Sequence, residues 1–587
     1  MYWFRMASSS SAKTKARPSK VRANGSAPSR GRGWRDVSGR PAFSQLMRRY
    51  LLTILVHADA ARFDPLGYAQ AVLWRIRGLR VRSRNKLAAA IGRSPRAYAL
   101  WISQVEPAAR ELLRASDNAS ATILPVVDAR GPDTLVDQTV RSLGAAHQMV
   151  IAVGGRKHRD QTHVETPKGL AEHIDPAGSW LCILPAGDEV APDALEIYAK
   201  AAAHCGDSWL IYADDDLIDT GKRRSPHFKS AWNVELFRHH DFLSGSAVVR
   251  ATPDMVADLD GEDWIDTLTK RAIERGAPPV HIPAVLHHRL RRPEPSQPTK
   301  PASTPADPAP LVSVIIPTRD HLVYLQTCVD GVERTNYPAI ELIVVDNDSV
   351  EPETLIYLDM LRQNGVKVLK VEGPFNFSAL NNAAVRRAQG ELVCFLNNDV
   401  EIVDPDWLSL LVRQAVRPEL GAIGGKLLYP DGSVQHAGVV TGVGGGAAHA
   451  HRMLTSEDPG YFMRDRLPQL ISAVTGACLV VSRDKFLAVG GFNEQDFPVA
   501  FNDVDLCLKL NARGWQTLYE PRATLIHHES KSRGKDSDRQ NRARFAAELA
   551  ALKRHWGTDR ERDPFHHPHL SPFCEQFLVG IGGDPHF

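Results

Sequence analysis

Short apolar runs, spaced by polar stretches, recur along most of this 587-residue chain, and their lengths predict strands alternating with helices. Leu392-Val393-Cys394-Phe395-Leu396 is too brief for a helix and suits a strand buried on both faces. Val312 to Ile316 predicts another such strand, stopped by Pro317, and Glu341 to Val345 a third, with helices at about 352–363 and 378–389. Further on, Phe501-Asn502-Asp503-Val504-Asp505 opens a helix whose apolar positions continue through Leu508 and Leu510, and Thr524-Leu525-Ile526 predicts a short strand. The earlier half alternates in the same way: Thr122 to Val127, Met149 to Val153, Trp180 to Leu184 and Trp209 to Ala213 read as strands, and Ala191 to His204 as a helix. The fold class is therefore α/β, and two such units in one chain look like a diverged internal duplication.

Composition divides the chain further. Residues 1–42 are Ser, Arg, Lys, Gly and Pro with few aliphatics, which predicts a disordered basic tail. Residues 43–117 form a basic region of helical pattern, where Leu73, Trp74, Ile76, Leu79 and Val81 interleave with Arg75, Arg77, Arg80, Arg82 and Arg84. That pattern suits an interfacial helix, and equally a strand or a solvated helix face. The first α/β unit spans 118–290 and the second 311–535, followed by a helix and tail over 536–587. Between the units, residues 291–310 are proline-rich and predict an extended, semi-rigid spacer.

The net charge of +3 conceals an asymmetry: residues 1–100 hold 21 Lys/Arg against 3 Asp/Glu, a charge of +18, which leaves −15 for the rest. A cationic front implies an anionic partner, here a membrane surface met through residues 1–117. Nucleic acid is not expected, because no aromatic stacking platform or helix-turn-helix pattern accompanies the charge. Seven scattered cysteines without a C-x-x-C pair imply a reducing compartment and no structural zinc. No apolar run approaches the roughly 18 residues of a membrane span. The expected location is the cytoplasm, peripheral at the inner face of the cytoplasmic membrane.

The candidate chemistry lies at strand ends. Thr318, Asp346 and Asp399 each follow a predicted strand directly, which puts them on one edge of an open sheet, where α/β folds bind ligands. Asn397, Asn398 and Asp399 offer hard oxygen atoms that suit Mg²⁺ or Mn²⁺ bridging a diphosphate, or form a plain polar turn. Asp503 falls in the first turn of its helix, as a cap or as a working carboxylate. His527 ends a strand and is either a satisfied polar group or an imidazole for the same metal.

The stretches SVIIPTRD, VVDNDS, FSALNNAAVRRAQGELVCFLNND, QHAGVV, SAVTGACLVV, GGFNE, AFNDVDLCLKL and LIHHESKSRG, in this order, resemble glycosyltransferase family 2, and more narrowly its bacterial O-antigen and cell-surface polysaccharide branch, which is rhamnosyltransferase-like. Residues 118–290 resemble the same fold more faintly. The resemblance implies two GT-A-like domains in tandem, Rossmann-like with mixed central sheets, behind a helical basic extension. It implies an inverting, metal-dependent enzyme that moves a sugar from a UDP- or dTDP-sugar to a hydroxyl of a growing glycan or lipid-linked glycan. By position, Pro317, Thr318, Asp346, Asn381, Asn397 and Asn398 would bind the donor, Asp399 and His527 the divalent cation, and Asp503 would be the catalytic base. A helix end near Ser378 would face the leaving diphosphate.

The first unit departs from the pattern. It has Pro185-Ala186-Gly187 before Asp188 where the metal motif would stand, and Gly154-Gly155 where a nucleoside-binding Asp would, with Asp214-Asp215-Asp216 and Glu262-Asp263 as candidate remnants. It reads as a degenerate domain, without metal-dependent transfer, kept to dock an acceptor or partner. Two other classes were weighed. A nucleotidyltransferase needs a Gly-rich loop after its first strand, and Pro317-Thr318-Arg319-Asp320 is not one. The alternative is a catalytically inactive glycan-binding or scaffold protein of a polysaccharide assembly complex.

Overall fold

A computed structural model of the chain describes residues 43–115, 120–144, 149–156, 161–301, 308–529 and 539–581. The tail expected to be disordered, 1–42, lies outside these. Five helices follow: α1 (Phe43–Phe63), α2 (Pro65–Ile76), α3 (Arg80–Gly92), α4 (Ala97–Gln104) and α5 (Glu106–Arg114). Asp64 caps α2 by accepting the Gly67 N–H at 2.8 Å. The stretch around residues 73–84, which suited an interfacial helix, a strand or a solvated helix face, falls on two helices: Gly78, at φ +76°, turns the chain between α2 and α3. Among the described residues no helix is long and apolar enough to cross a membrane.

Two sheets follow. The first contains β1 (Ile123–Asp128), β2 (Ile151–Val153), β3 (Thr162–Val164), β4 (Ser179–Pro185), β5 (Glu189–Val190), β6 (Leu210–Asp219), β7 (Ala247–Ala251) and β8 (Val280–Arg289). The second contains β9 (Val312–Thr318), β10 (Ile340–Asp346), β11 (Lys367–Lys370), β12 (Leu392–Leu396), β13 (Val400–Glu401), β14 (Leu420–Leu428), β15 (Cys478–Ser482) and β16 (Gln516–His527). The first runs β3-β2-β1-β4-β7-β6-β8-β5 and the second β11-β10-β9-β12-β15-β14-β16-β13, so along these paths each strand of one has a counterpart in the other. The sense of every pairing also agrees, parallel from β3 to β4 and from β11 to β12, then mixed beyond. The second sheet also carries α6 (Phe377–Val385), α7 (Asn502–Ala512) and α8 (Arg539–Trp556).

Several strands run past the ends predicted for them. Pro317 does not stop β9 but lies within it, paired with Val345. The short strand at 524–526 is the end of the twelve-residue β16. Asp214, Asp215 and Asp216 do not follow a strand; they lie inside β6, each at most 1% exposed. Three buried carboxylates persist in a sheet only if countercharges reach them. Asp214 meets His281 at 2.9 Å and His567 at 2.8 Å, Asp215 meets Lys229 at 2.8 Å and Arg292 at 3.3 Å, and Asp216 meets His288 at 2.7 Å and Arg223 at 2.5 Å. These contacts tie β6 to its neighbours and to the tail, and the ligand atoms of Asp214, His281 and His567 all lie within 4.8 Å of one another.

His567 belongs to the C-terminal tail, so the tail closes over the first sheet. The Ala231 N–H also donates to the Pro564 carbonyl at 2.8 Å, and Trp101 of α4 meets Phe228 and His569 edge-on or tilted at ring distances of 5.0 Å. Tyr98, Trp101 and Phe228 belong to one buried cluster with Val443, Leu570 and Phe577. The proline-rich stretch is tied at both ends, by Arg292 on Asp215 and by Lys300 between Asp404 and Asp406 at 2.7 and 2.9 Å.

Candidate active site

Where β9 and β12 end, a cleft of about 950 Å³ opens, bounded by Thr318, Asp399, His449, Phe501, Asp503 and His527 among others. Asp399 stands in the turn from β12 to β13, and β13 pairs antiparallel with β16 so that Val400 faces His527. That register brings Asp399 Oδ1 to 3.0 Å from His527 Nε2 across 128 residues of chain.

The His527 ring has a determined orientation. Gln435 Nε2 donates to the Glu529 carboxylate at 2.9 Å, so the Gln435 carbonyl oxygen faces His527 Nδ1 at 2.8 Å. A carbonyl accepts only, which puts a proton on Nδ1. In the neutral ring the Nε2 lone pair then points at a carboxylate oxygen, an arrangement that a cation between them relieves. Ligand atoms 3.0 Å apart also match neighbouring vertices of an octahedron with bonds of about 2.1 Å. Asp399 and His527 thus fit a hard divalent cation. Behind them runs a chain of support: Tyr429 donates to Glu529 at 3.0 Å, and Arg452 donates to the Tyr429 hydroxyl at 2.8 Å. Burial would raise the Glu529 pKa, but hydrogen bonds from Gln435 and Tyr429 and the charge of Arg452 hold it below the usual carboxylate range. Such outer partners fix the orientation of a metal-binding imidazole.

Asp503 is in the first turn of α7. Its Oδ2 accepts the Gly476 N–H at 2.9 Å and its Oδ1 the Val504 N–H at 2.8 Å, so backbone donors orient both oxygens. The residue before the helix, Phe501, lines the cleft with φ +60°, a left-handed conformation costly for an aromatic residue. Asp320 and His321, also on the cleft, are left-handed at +54° and +58°.

Thr318, Asn397, Asn398, Asp399, Asp503, His527 and Pro317 all border the cleft. Asn398 Nδ2 donates to Thr318 Oγ1 at 3.1 Å, while the Asn397 amide nitrogen lies 3.4 Å from His527 Nε2. Asp346 does not border it. It pairs in register with Thr318 one strand away, 2% exposed, with Oδ1 accepting the Ser349 N–H at 3.0 Å. Asn381 is fully buried in α6, donating to the Phe377 carbonyl one turn back, and stands apart from the cleft. The α6 end near Ser378 does not present open donors either: Ser378 N–H goes to the Pro498 carbonyl and Ala379 N–H to Asn376.

A histidine relay escaped the sequence reading. Thr475 N–H donates to His436 Nε2 at 3.4 Å, so the His436 proton is on Nδ1, 2.9 Å from His449 Nδ1. His449 then carries its own proton on Nε2. Burial pushes its pKa down to about 4, against the pull of Asp503, so the ring is a neutral donor near pH 7. The one signal available was Gln435-His436, two polar residues flanked by Val434 and Ala437 in QHAGVV.

The family model described as glycosyl transferase family 2 matches residues 313–490, which hold Thr318, Asp399, Gln435 and His449. The chain carries a glycosyl transferase family 2 domain. The chain is 40% identical over 450 residues, 68% of this chain and 49% of the other, to an uncharacterized protein of Sinorhizobium fredii. It is 35% identical over 436 residues, 67% of this chain and 34% of the other, to the O-antigen biosynthesis protein RfbC of Myxococcus xanthus. The N-acetylglucosaminyl-diphospho-decaprenol L-rhamnosyltransferase of Mycobacterium tuberculosis is 27% identical over 252 residues, 39% of this chain and 79% of that one. The chain spans about half or less of the length of the first two. A solved mannosyltransferase from Pyrobaculum calidifontis, in complex with GDP-Man and Mn²⁺, aligns over 44% of this chain and 67% of that one, at 19% identity and a TM-score of 0.32. Asp399 lies within the matched span, and Asp503 and His527, both beyond it, border the same cleft.

Proposed function

We propose that this chain is an inverting glycosyltransferase that uses a divalent cation and a nucleotide-sugar donor, UDP- or dTDP-linked, to extend a cell-surface glycan of the O-antigen type. The observation that carries this reading is the pairing of Asp399 with an oriented His527 on the same cleft as Asp503. Asp399 and His527 would hold the cation, which when bound supplies positive charge to the leaving diphosphate. Thr318 and Asn398 stand beside that position for the donor, with Pro317 and Asn397, and Asp346 and Asn381 support them from the sheet and from α6. Asp503 takes the proton of an acceptor hydroxyl as that oxygen attacks the anomeric carbon. The attack displaces the nucleoside diphosphate in a single step, so the configuration inverts and no enzyme-bound sugar forms. The test is incubation of the full chain with a panel of nucleotide sugars and Mn²⁺. Metal-dependent release of free nucleoside diphosphate is expected; none from any donor would leave the scaffold reading.

The first sheet, with the strand order of the second, supports reading 118–290 as a duplicated GT-A-like domain that no longer transfers and 311–535 as the working one. The acceptor is a glycan presented on lipid, at the inner face of the cytoplasmic membrane. Support for that placement comes from the helical extension, where Leu66, Ile76 and Ile54 are 85, 77 and 65% exposed and residues 65–105 hold eight Lys/Arg and no Asp/Glu. In flotation with anionic liposomes, deletion of residues 1–117 is expected to reduce binding most at low salt; equal flotation would remove the membrane placement.

A further inference from the structure

Three cavities adjoin one another along the second half of the molecule. The cleft shares Ala447, Ala448, Phe501 and Phe545 with a second cavity of about 430 Å³. That cavity shares Val443 and Phe573 with a third, of about 670 Å³. The second is mostly apolar, walled by Ala89, Met453, Phe501, Leu549 and Phe573. The third has Val56 of α1 with Leu87, Ala88 and Ile91 of α3 on one side, and the C-terminal tail from Thr558 to Ile581 on the other. The three cavities thus adjoin in order, from the cleft of Asp503, past a mostly apolar one, to the inner sides of α1 and α3.

On α1, Tyr50, Leu51 and Ile54 are exposed at helical spacing, and on α2 so are Leu66, Leu73 and Ile76. Arginines 62, 75, 77 and 80 are exposed among them, and Arg84 stands where the path widens, its guanidinium 3.9 Å from the Phe573 ring centre. An apolar track that starts at a reactive carboxylate and ends at a basic, apolar helix face suits one occupant: a molecule with a polar head for the cleft and a hydrocarbon chain that continues into an anionic bilayer.

We propose that the track between α3 and the C-terminal tail, through Ala89, Leu549 and Phe573, binds the hydrocarbon chain of the acceptor lipid. This rests on the glycosyltransferase reading and adds a second binding site, outside the family 2 domain's matched residues except at 443–453. Basic groups near the helices then face the phosphates of the bilayer, and burial of the chain makes affinity depend on its length.

The probe is a farnesyl diphosphate with a benzophenone at the end of its chain, photo-crosslinked to the full-length protein and mapped by mass spectrometry. Crosslinks are expected within residues 84–91 and 568–581. Unlabelled farnesyl diphosphate should suppress them at least tenfold, and inorganic diphosphate should not. Ala89→Trp fills the narrow part and should lower crosslinking at least tenfold, while the circular dichroism spectrum and thermal midpoint stay those of the wild type. The retained midpoint shows that the variant is folded. Ala88→Trp, in the wider cavity, is the second variant and should give a smaller loss. Crosslinks elsewhere, suppression by inorganic diphosphate, or crosslinking unchanged in both variants would overturn the proposal. Absence of donor turnover in the wild type with crosslinks as expected would instead overturn the enzymatic reading alone.

Discussion

Asp188 and Asp399 stand at the same place in two sheets of equal strand order. Each precedes a two-residue strand by one position: Glu189 pairs with His288, and Val400 with His527. An Asp and a His are thus kept at matching positions in both halves, yet their surroundings differ. Asp399 and His527 face each other across a cleft, and Gln435 turns the imidazole toward the carboxylate. His288 instead turns to Asp216, and Asp188 accepts the Leu290 N–H at 2.8 Å beside Arg289 at 3.4 Å. Beside Asp128, the register counterpart of Thr318, Arg130 reaches across to the carbonyls of Gly261 and Glu262 and ties β1 to that loop. Val153 replaces Asp346. Residue identity at two positions is therefore no guide to a cation site; what matters is which groups consume the ligand atoms.

The largest expected effect tests which half works. Asp503→Asn should lower transfer by about 10²–10⁴-fold while leaving Mn²⁺ affinity within twofold, measured by kcat and by metal titration. Retained transfer would place the base elsewhere. Next, Gln435→Ala frees the His527 ring and should weaken Mn²⁺ binding about 10–100-fold, with the thermal midpoint little changed. No change would show that the outer chain does not orient the ligand. His449→Ala probes the relay, and is expected to lower kcat by about tenfold with less effect on metal binding; loss of metal alone would move His449 to the cation.

The smallest effect concerns the first sheet. Burial pushes the Asp188 pKa up to about 6, above the ordinary carboxylate value. A group raised in the folded state contributes stability below its unfolded pKa and loses it as pH rises through the folded value. The window is therefore about pH 4 to 6. Asp188→Asn cannot titrate, so its thermal midpoint should gain on the parent across that window, with donor turnover unchanged. A constant difference from pH 4 to 6 would show that Asp188 stays ionised.

The strand at Leu392–Leu396 was legible because its burial depends only on its own five residues. The edge that gathers Thr318 and Asp399 was legible too, since each follows its strand. What escaped were positions decided by distant partners. Asp214–Asp216, expected to follow their strand, lie inside it because partners reach them from between 7 residues away, at Arg223, and 353 away, at His567. Asn381 sits in a motif rich in polar residues, yet its helix face turns inward. Gln435 and Glu529 acquire a role only through the three-dimensional contact with His527. For the same reason the two halves are poor candidates for separate expression: the tail's His567 and His569 complete the first half's core.

The most direct test of the contrast is Mn²⁺ binding followed by electron paramagnetic resonance on three full-length proteins, the wild type, Asp399→Asn and Asp188→Asn, with and without a nucleoside diphosphate. The expected result is one bound ion in the wild type and in Asp188→Asn, tightened by the nucleotide, and at least a hundredfold weaker binding in Asp399→Asn. Equal binding by Asp399→Asn, or its loss in Asp188→Asn, would contradict the assignment of the cation to the second sheet.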